Sequence, residues 1–180
     1  MKLALHACCA PCGAAIIREL HDADADFTVM FCNPNIHPIE EYERRKAELV
    51  RYCEKQGVAW VSLDGGEDEW FARTKGLEAE PERGTRCAVC FTLRFERVAK
   101  WCLENGHDAF TTTLMTSRWK DLEQICACGH EVARRHPPLV FWDKNWRKEG
   151  RAERATQISK EENFYRQTFC GCVFSQREKD

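Results

Sequence analysis

The sequence predicts an α/β fold, an open parallel sheet with helices on both faces. Short apolar runs rich in strand formers alternate along the chain with longer segments whose apolar residues recur at helical spacing. Strictly alternating β and α segments call for crossover connections, hence parallel strands covered on both sides. A length of 180 residues fits one domain with a sizeable core that needs no disulfides.

Residues 2–7 read as the first strand, and 13–21 as a helix with Ala14, Ile17 and Leu20 on one face. Residues 27–32 form the second strand. Two prolines and two asparagines make a loop of Asn33-Pro34-Asn35-Ile36-His37-Pro38. Residues 39–56 are a charged amphipathic helix that Gly57 stops. A third strand covers 58–63, and a short helix over 67–75 carries Trp70 and Phe71. Residues 76–86 are a polar loop with Pro81 and Gly84. A long helix follows over 87–105, with Leu93, Val98, Trp101 and Cys102 on its buried side and Gly106 at its end. The fourth strand, 109–114, contains three threonines; a helix over 121–135 ends before Pro137-Pro138; the fifth strand is 139–142. After a basic polar stretch, a last helix is predicted over 160–168, ahead of Cys170-Gly171-Cys172. No repeat or low-complexity segment interrupts this order. The expected organisation is a single domain, 1–180, with an α/β core over 1–142 and a helical C-terminal appendage over 143–180.

Lys+Arg is 27 and Asp+Glu is 29, which excludes a globally basic nucleic-acid binder but not a local basic patch. No apolar stretch approaches the ~20 residues of a membrane span, and the first residues do not read as a signal peptide. The expected location is the cytoplasm, with no membrane partner. The unusual feature is 12 cysteines. In a reducing compartment, clustered thiols bind metal or do redox work more often than they form structural disulfides.

The cysteines fall into groups. Cys8, Cys9 and Cys12 follow the first strand; Cys87 and Cys90 open the long helix. Ligands of open α/β sheets sit beyond the carboxyl ends of the strands, so both groups should reach one edge. Unpaired N–H groups and the positive helix end should lower the thiol pKa of Cys87 and Cys90. Two pairs of thiolates on one point suit an iron–sulfur cluster or zinc, with simple thiols as the remaining alternative. Adjacent Cys8 and Cys9 fit the wider corners of a cluster better than a zinc knuckle. Cys170 and Cys172 could close a small, easily reduced and therefore catalytic disulfide, or complete a metal site. Cys53, Cys102, Cys126 and Cys128 read as structural; Cys32 could be either.

Leu5-His6-Ala7-Cys8-Cys9-Ala10-Pro11-Cys12 resembles the opening of the QueH-type epoxyqueuosine reductases. So do Asn33–Pro38 with Glu41-Tyr42, and Glu82-x-Gly84-x-Arg86-Cys87-x-x-Cys90. Thr111-Thr112-Thr113-Leu114 with Ser117 and Lys120, and Tyr165-Arg166-Gln167-x-x-Cys170-Gly171-Cys172, continue the match to near the end of the chain. Arg118 stands where a proline is common in that family, and Cys12 where other members can carry an aspartate. The resemblance implies a Rossmann-like sheet related to adenine-nucleotide hydrolases. It implies reduction of the epoxide of epoxyqueuosine at the tRNA wobble position, the last step of queuosine formation, and an unidentified electron donor. It also implies a [4Fe-4S] cluster on Cys8, Cys9, Cys87 and Cys90. Cys170 and Cys172 match the family's redox-active pair, which could instead help hold one additional iron.

Epoxide to alkene takes two electrons and two protons, and a dithiol closing to a disulfide releases the same. Tyr165, Asp143 and His37 are the candidate acids for the departing oxygen. Where nucleotide-activating relatives place a glycine-rich phosphate loop, this chain has Cys-Cys-Ala-Pro-Cys; proline lacks the amide donor and thiolates repel phosphate, which disfavours ATP-dependent chemistry. Residues 115–160 hold ten Lys/Arg and six Asp/Glu. Arg147, Lys148, Arg151 and Arg154, with Trp142 and Trp146, form the expected tRNA-contacting patch. The competing readings are a zinc-stabilised RNA-binding module without catalysis and a general thiol–disulfide oxidoreductase.

Overall fold

The structure, a computed structural model, describes residues 1–175. Its elements are β1 (Leu3–Ala7), α1 (Ala10–Asp22), β2 (Phe27–Phe31), α2 (Ile39–Gln56), β3 (Trp60–Ser62), α3 (Glu67–Thr74), α4 (Thr85–Glu104), β4 (Ala109–Thr112), α5 (Leu122–Arg135), β5 (Val140–Phe141) and α6 (Arg151–Glu161). The five strands lie in the order β3-β2-β1-β4-β5, every neighbouring pair parallel. β1 is central and wholly buried, with Leu5 against Val29 on one side and Thr111 on the other. α1 packs between α2 and α6, whereas α4 packs with α3 and α5, one helical layer for each face. The strand order reverses between β1 and β4. A crevice beyond their carboxyl ends is where such sheets bind ligands. No described helix is long and apolar enough to cross a membrane.

Local chemistry moves several boundaries. α1 starts at Ala10, ahead of the expected Gly13, because Pro11 sits in the first turn, where its missing N–H costs nothing. β4 stops at Thr112, whose Oγ1 accepts the Leu114 N–H and turns the chain into a 3-10 turn over Thr113–Thr116. The last helix differs most. It spans Arg151–Glu161 instead of 160–168, and the chain leaves it at Asn163 in the left-handed region. The following residues are strapped along α2. Arg51 and Lys55 bind Glu162, and the Tyr165 N–H donates to Glu48.

The expected RNA patch is also corrected. Trp146 is buried, its indole N–H donating to Thr111 Oγ1. Arg147 donates to the carbonyls of Met115, Ser117 and Lys120. Arg151 is buried and grips Glu19 with both Nε (2.6 Å) and Nη2 (2.8 Å), while Lys144 adds a third contact at 2.9 Å. Lys144, Arg147 and Arg151 therefore fasten this segment to α1 and to the turn after β4, while Lys148 and Arg154 stay exposed.

Those contacts, the Arg151 hydrogen bonds first, hold the Glu19 carboxyl down to about 2. A carboxylate depressed in the folded state stabilises above its unfolded pKa, and that stability drains as pH falls through the folded value. Glu19→Gln should cost about 1–2 kcal/mol at pH 7, allowing for partial exposure. The gap to wild type should shrink as pH falls from about 5 towards 2. Urea unfolding across that range measures it; a gap independent of pH would show that the ion pair does not act.

Candidate metal and redox centre

The end of β1 delivers Cys8, and Cys9 caps α1 in an extended conformation. Pro11 and the first helical turn then return Cys12 to the same place. The sulfurs of Cys8, Cys9 and Cys12 lie within 4.8 Å of one another, those of Cys8 and Cys9 at 3.7 Å. Such a group of soft donors can hold a metal. Three crowded thiols cannot all ionise without strong repulsion. Hydrogen bonds from Cys12 and Cys9 pull the Cys8 thiol well below its ordinary value, and the same bonds drive Cys9 well above. Cys12 is raised to about 12, the Cys8 bond first among the causes. Ionisation of the group is therefore favoured at Cys8 and opposed at Cys9 and Cys12. Gln167 Nε2, arriving from the C-terminal strap, donates to Cys9 Sγ at 2.8 Å.

The second group stands at the start of α4. Arg86 organises the preceding loop by donating from Nη1 to the carbonyls of Leu77, Glu78 and Glu80. Cys87 Sγ accepts the Arg83 N–H at 3.3 Å. Cys90 and Cys172 are buried together around Trp70, with Cys170, Val173 and Phe174 packed against them. The expected lowering at the helix start is overturned for Cys87. Burial pushes its thiol up, and the Arg83 N–H and Lys120 only partly offset this.

The C-terminal strap is pinned from α2. Arg45, buried and paired with Glu41 at 2.6 Å, donates to the carbonyls of Phe169 and Cys170. The His37 N–H donates to Gly171 O at 2.8 Å. Gly171 has φ +103°, and a Cβ there would meet Ile36 Cγ1 at 2.9 Å and Arg45 Nη1 at 3.2 Å. Only glycine lets the strap sit this deep. Cys170 and Cys172 are both free thiols. Burial opposes ionisation of Cys170, but Lys120 and the neighbouring backbone leave it below the ordinary thiol value. Cys172 is raised to about 11, by burial first and then by Cys170. Ionisation is thus favoured at Cys170 and opposed at Cys172, two positions further along the chain.

Two cations, one buried and one half-buried, join the groups. Arg94 is 2% exposed, donating from Nε to Cys32 O at 3.3 Å and from Nη2 to Asn33 Oδ1. Its charge favours the anions of both Cys8 and Cys170. Burial would neutralise Lys120, yet Cys170, Cys87 and Cys90 raise its pKa. Among the described residues no carboxylate pairs with either cation within 4 Å. Beneath them His6 is fully buried and driven down to about 3, by burial first and then by Arg94. Its Nε2 faces the carbonyl of Cys32, an acceptor only, so Nε2 carries the proton and Nδ1 accepts from Thr112.

Of the candidate acids, Tyr165 donates to Glu41 Oε2 at 3.0 Å and Asp143 pairs with the exposed His130 at 3.0 Å. The His37 ring lies against Trp70 and Phe71, lowered by burial. Cys53 and Cys102 are buried and raised to about 12, by burial first. Arg94 and Arg45 escaped sequence reasoning. Gln167 and Lys120 were visible only as motif positions.

The family described as "Epoxyqueuosine reductase QueH" matches residues 3–178 of the chain. A protein of that name from Histophilus somni is 50% identical over 177 residues, covering 98% of this chain and 73% of its own. One from Acinetobacter baylyi is 48% identical, covering 98% and 81%. One from Thermotoga maritima is 34% identical, covering 97% and 90%. Matched along nearly its whole length, cysteine segments included, the chain belongs to the epoxyqueuosine reductase QueH family.

Proposed function

We propose that this oxidoreductase removes the epoxide oxygen of epoxyqueuosine in tRNA, giving queuosine, with a [4Fe-4S] cluster held by Cys8, Cys9, Cys87 and Cys90. The observation that carries the cluster is a pair of carboxylate-free cations facing the cysteines, the buried Arg94 and the half-buried Lys120. A buried cation needs a nearby anion. Thiolates around an iron–sulfur core supply net negative charge there, and soft sulfur donors suit it. When bound, the cluster supplies single electrons at low potential and an iron able to polarise oxygen.

The chain's own residues do the rest. Lys120 favours the thiolate of Cys170, and Cys172 carries a proton into the crevice. Closing the bond between these sulfurs releases two electrons and the Cys172 proton. The substrate takes up those electrons, that proton and one more from solvent, loses its epoxide oxygen as water, and gains a carbon–carbon double bond between the two former epoxide carbons. A cellular reductant then restores the dithiol. If Cys170 and Cys172 instead hold an additional iron, they would not cycle through a disulfide. In this reading the core, 1–142, builds the crevice, and the segment 143–180 brings the redox pair to it. The protein works in the cytoplasm, where its tRNA is.

Anaerobic purification followed by iron and acid-labile sulfide analysis should give a brown protein with about four of each per chain. Incubated with reductant and epoxyqueuosine tRNA, it should convert that nucleoside to queuosine. A colourless protein carrying stoichiometric zinc and converting nothing would establish the zinc module instead.

A further inference from the structure

Of the expected stacking tryptophans of the basic segment, Trp146 is buried in the core and Trp142 is half-buried. A different one is available. Trp119 is 63% exposed, more than any other aromatic side chain among the described residues. Exposed indole costs free energy in water unless something covers it. Its backbone is nevertheless firmly held. Arg83 donates from Nε to Trp119 O at 3.0 Å and from Nη2 to Arg118 O at 3.3 Å. Arg147 binds the flanking carbonyls of Ser117 and Lys120, and Ser117 Oγ accepts the Trp119 N–H at 3.3 Å. Two arginines thus fix a turn whose largest side chain is left in solvent.

The surroundings indicate what covers it. The Arg118 guanidinium lies 4.7 Å from the Trp119 ring. Trp119, Arg83 and Lys120 line one depression with Cys87, and the same Arg83 donates its N–H to Cys87 Sγ. Of the acids there, Asp121 caps α5 through the N–H groups of Glu123 and Gln124, leaving Glu82 on the rim. A rigid aromatic face beside the Arg83 and Arg118 guanidiniums fits a nucleobase with its phosphates: the ring stacks and the cations bind the backbone. Trp142, by contrast, packs edge-on to Trp146 under Lys144.

We infer that Trp119, with Arg118, is the platform on which an unstacked anticodon-loop base of the substrate tRNA rests while the neighbouring modified nucleotide enters the crevice. This rests on the tRNA reading above. It makes Trp119 a positioning residue that touches no reacting atom.

The test uses the anaerobic holoenzyme and epoxyqueuosine tRNA. Trp119→Ala should raise the KM for tRNA about 5- to 100-fold, the range that loss of one base–aromatic stack gives, with a smaller effect on kcat and unchanged iron content. Trp119→Phe should recover most of the loss, since stacking needs a ring, not an indole N–H. An active wild type with an unchanged KM in Trp119→Ala overturns the platform alone. A fall in kcat or iron without a rise in KM also overturns it, marking Trp119 as structural. A wild type that leaves the modified tRNA untouched overturns the function first, and the platform with it.

Discussion

Changing Cys170 to serine should lower epoxide reduction by about 10³-fold or more, as loss of a covalent or redox nucleophile does. The iron should largely remain. Serine matches cysteine in shape, and the strap is held through backbone groups that the change does not touch. Arg45 binds the carbonyls of residues 169 and 170, and the His37 N–H binds Gly171 O. What disappears is the one sulfur of the pair that burial alone would protonate and that Lys120 keeps nucleophilic. A hydroxyl there neither ionises near neutrality nor forms a disulfide. Cys172→Ser should fail equally, because the surviving thiolate has no partner to close on. Turnover of modified tRNA and iron content, measured on the same anaerobic preparation, separate the roles. Loss of most of the iron from Cys170→Ser would make the residue a ligand and remove the dithiol from the chemistry.

The parts of the sequence that could be read correctly were those set by neighbours in the chain. β1, β2 and α2 declare themselves through local apolar spacing and a stopping Gly57, and the Cys-Cys-Ala-Pro-Cys turn follows because a ligand edge lies where β1 ends. Contacts between distant segments could not be read. Arg147 and Arg151 look like a solvent-facing basic run until the carbonyls of Met115, Ser117 and Lys120 come alongside the first and Glu19, more than a hundred residues away, alongside the second. The helix expected over 160–168 has acceptable propensity, but Glu48, Arg51 and Lys55 of α2 draw that stretch out into a strap. Cys87 illustrates a competition that spacing cannot resolve: the helix end favours the thiolate, yet burial outweighs it. Arg94 lies in the middle of a helix and reads as one more charge on an amphipathic face. Only the fold reveals that it points inward between two sets of cysteines.

That buried arginine gives the second large effect. Arg94→Leu should destabilise the protein by about 2–4 kcal/mol, the cost of leaving buried polar groups unpartnered. Asn33 would lose the donor to its Oδ1 while still tied through Nδ2 to Ala7 O at 3.0 Å, so it cannot turn away. The Cys32 carbonyl would keep His6 Nε2 at 3.1 Å and lose the guanidinium. The charge loss is separate from these bonds. With Arg94 gone, the sulfur anions would lose one of the cations that favour both Cys8 and Cys170, and the crevice would hold thiolate ligands less readily. Iron content should fall well below wild type. Arg94→Lys separates the two effects: an ammonium restores the charge but not the planar fork that reaches Cys32 and Asn33 together. The lysine variant should therefore regain iron while remaining less stable than wild type. If Arg94→Leu binds a full complement of iron, the anionic occupant does not need this cation, and the charge argument for the cluster fails even though the family assignment stands.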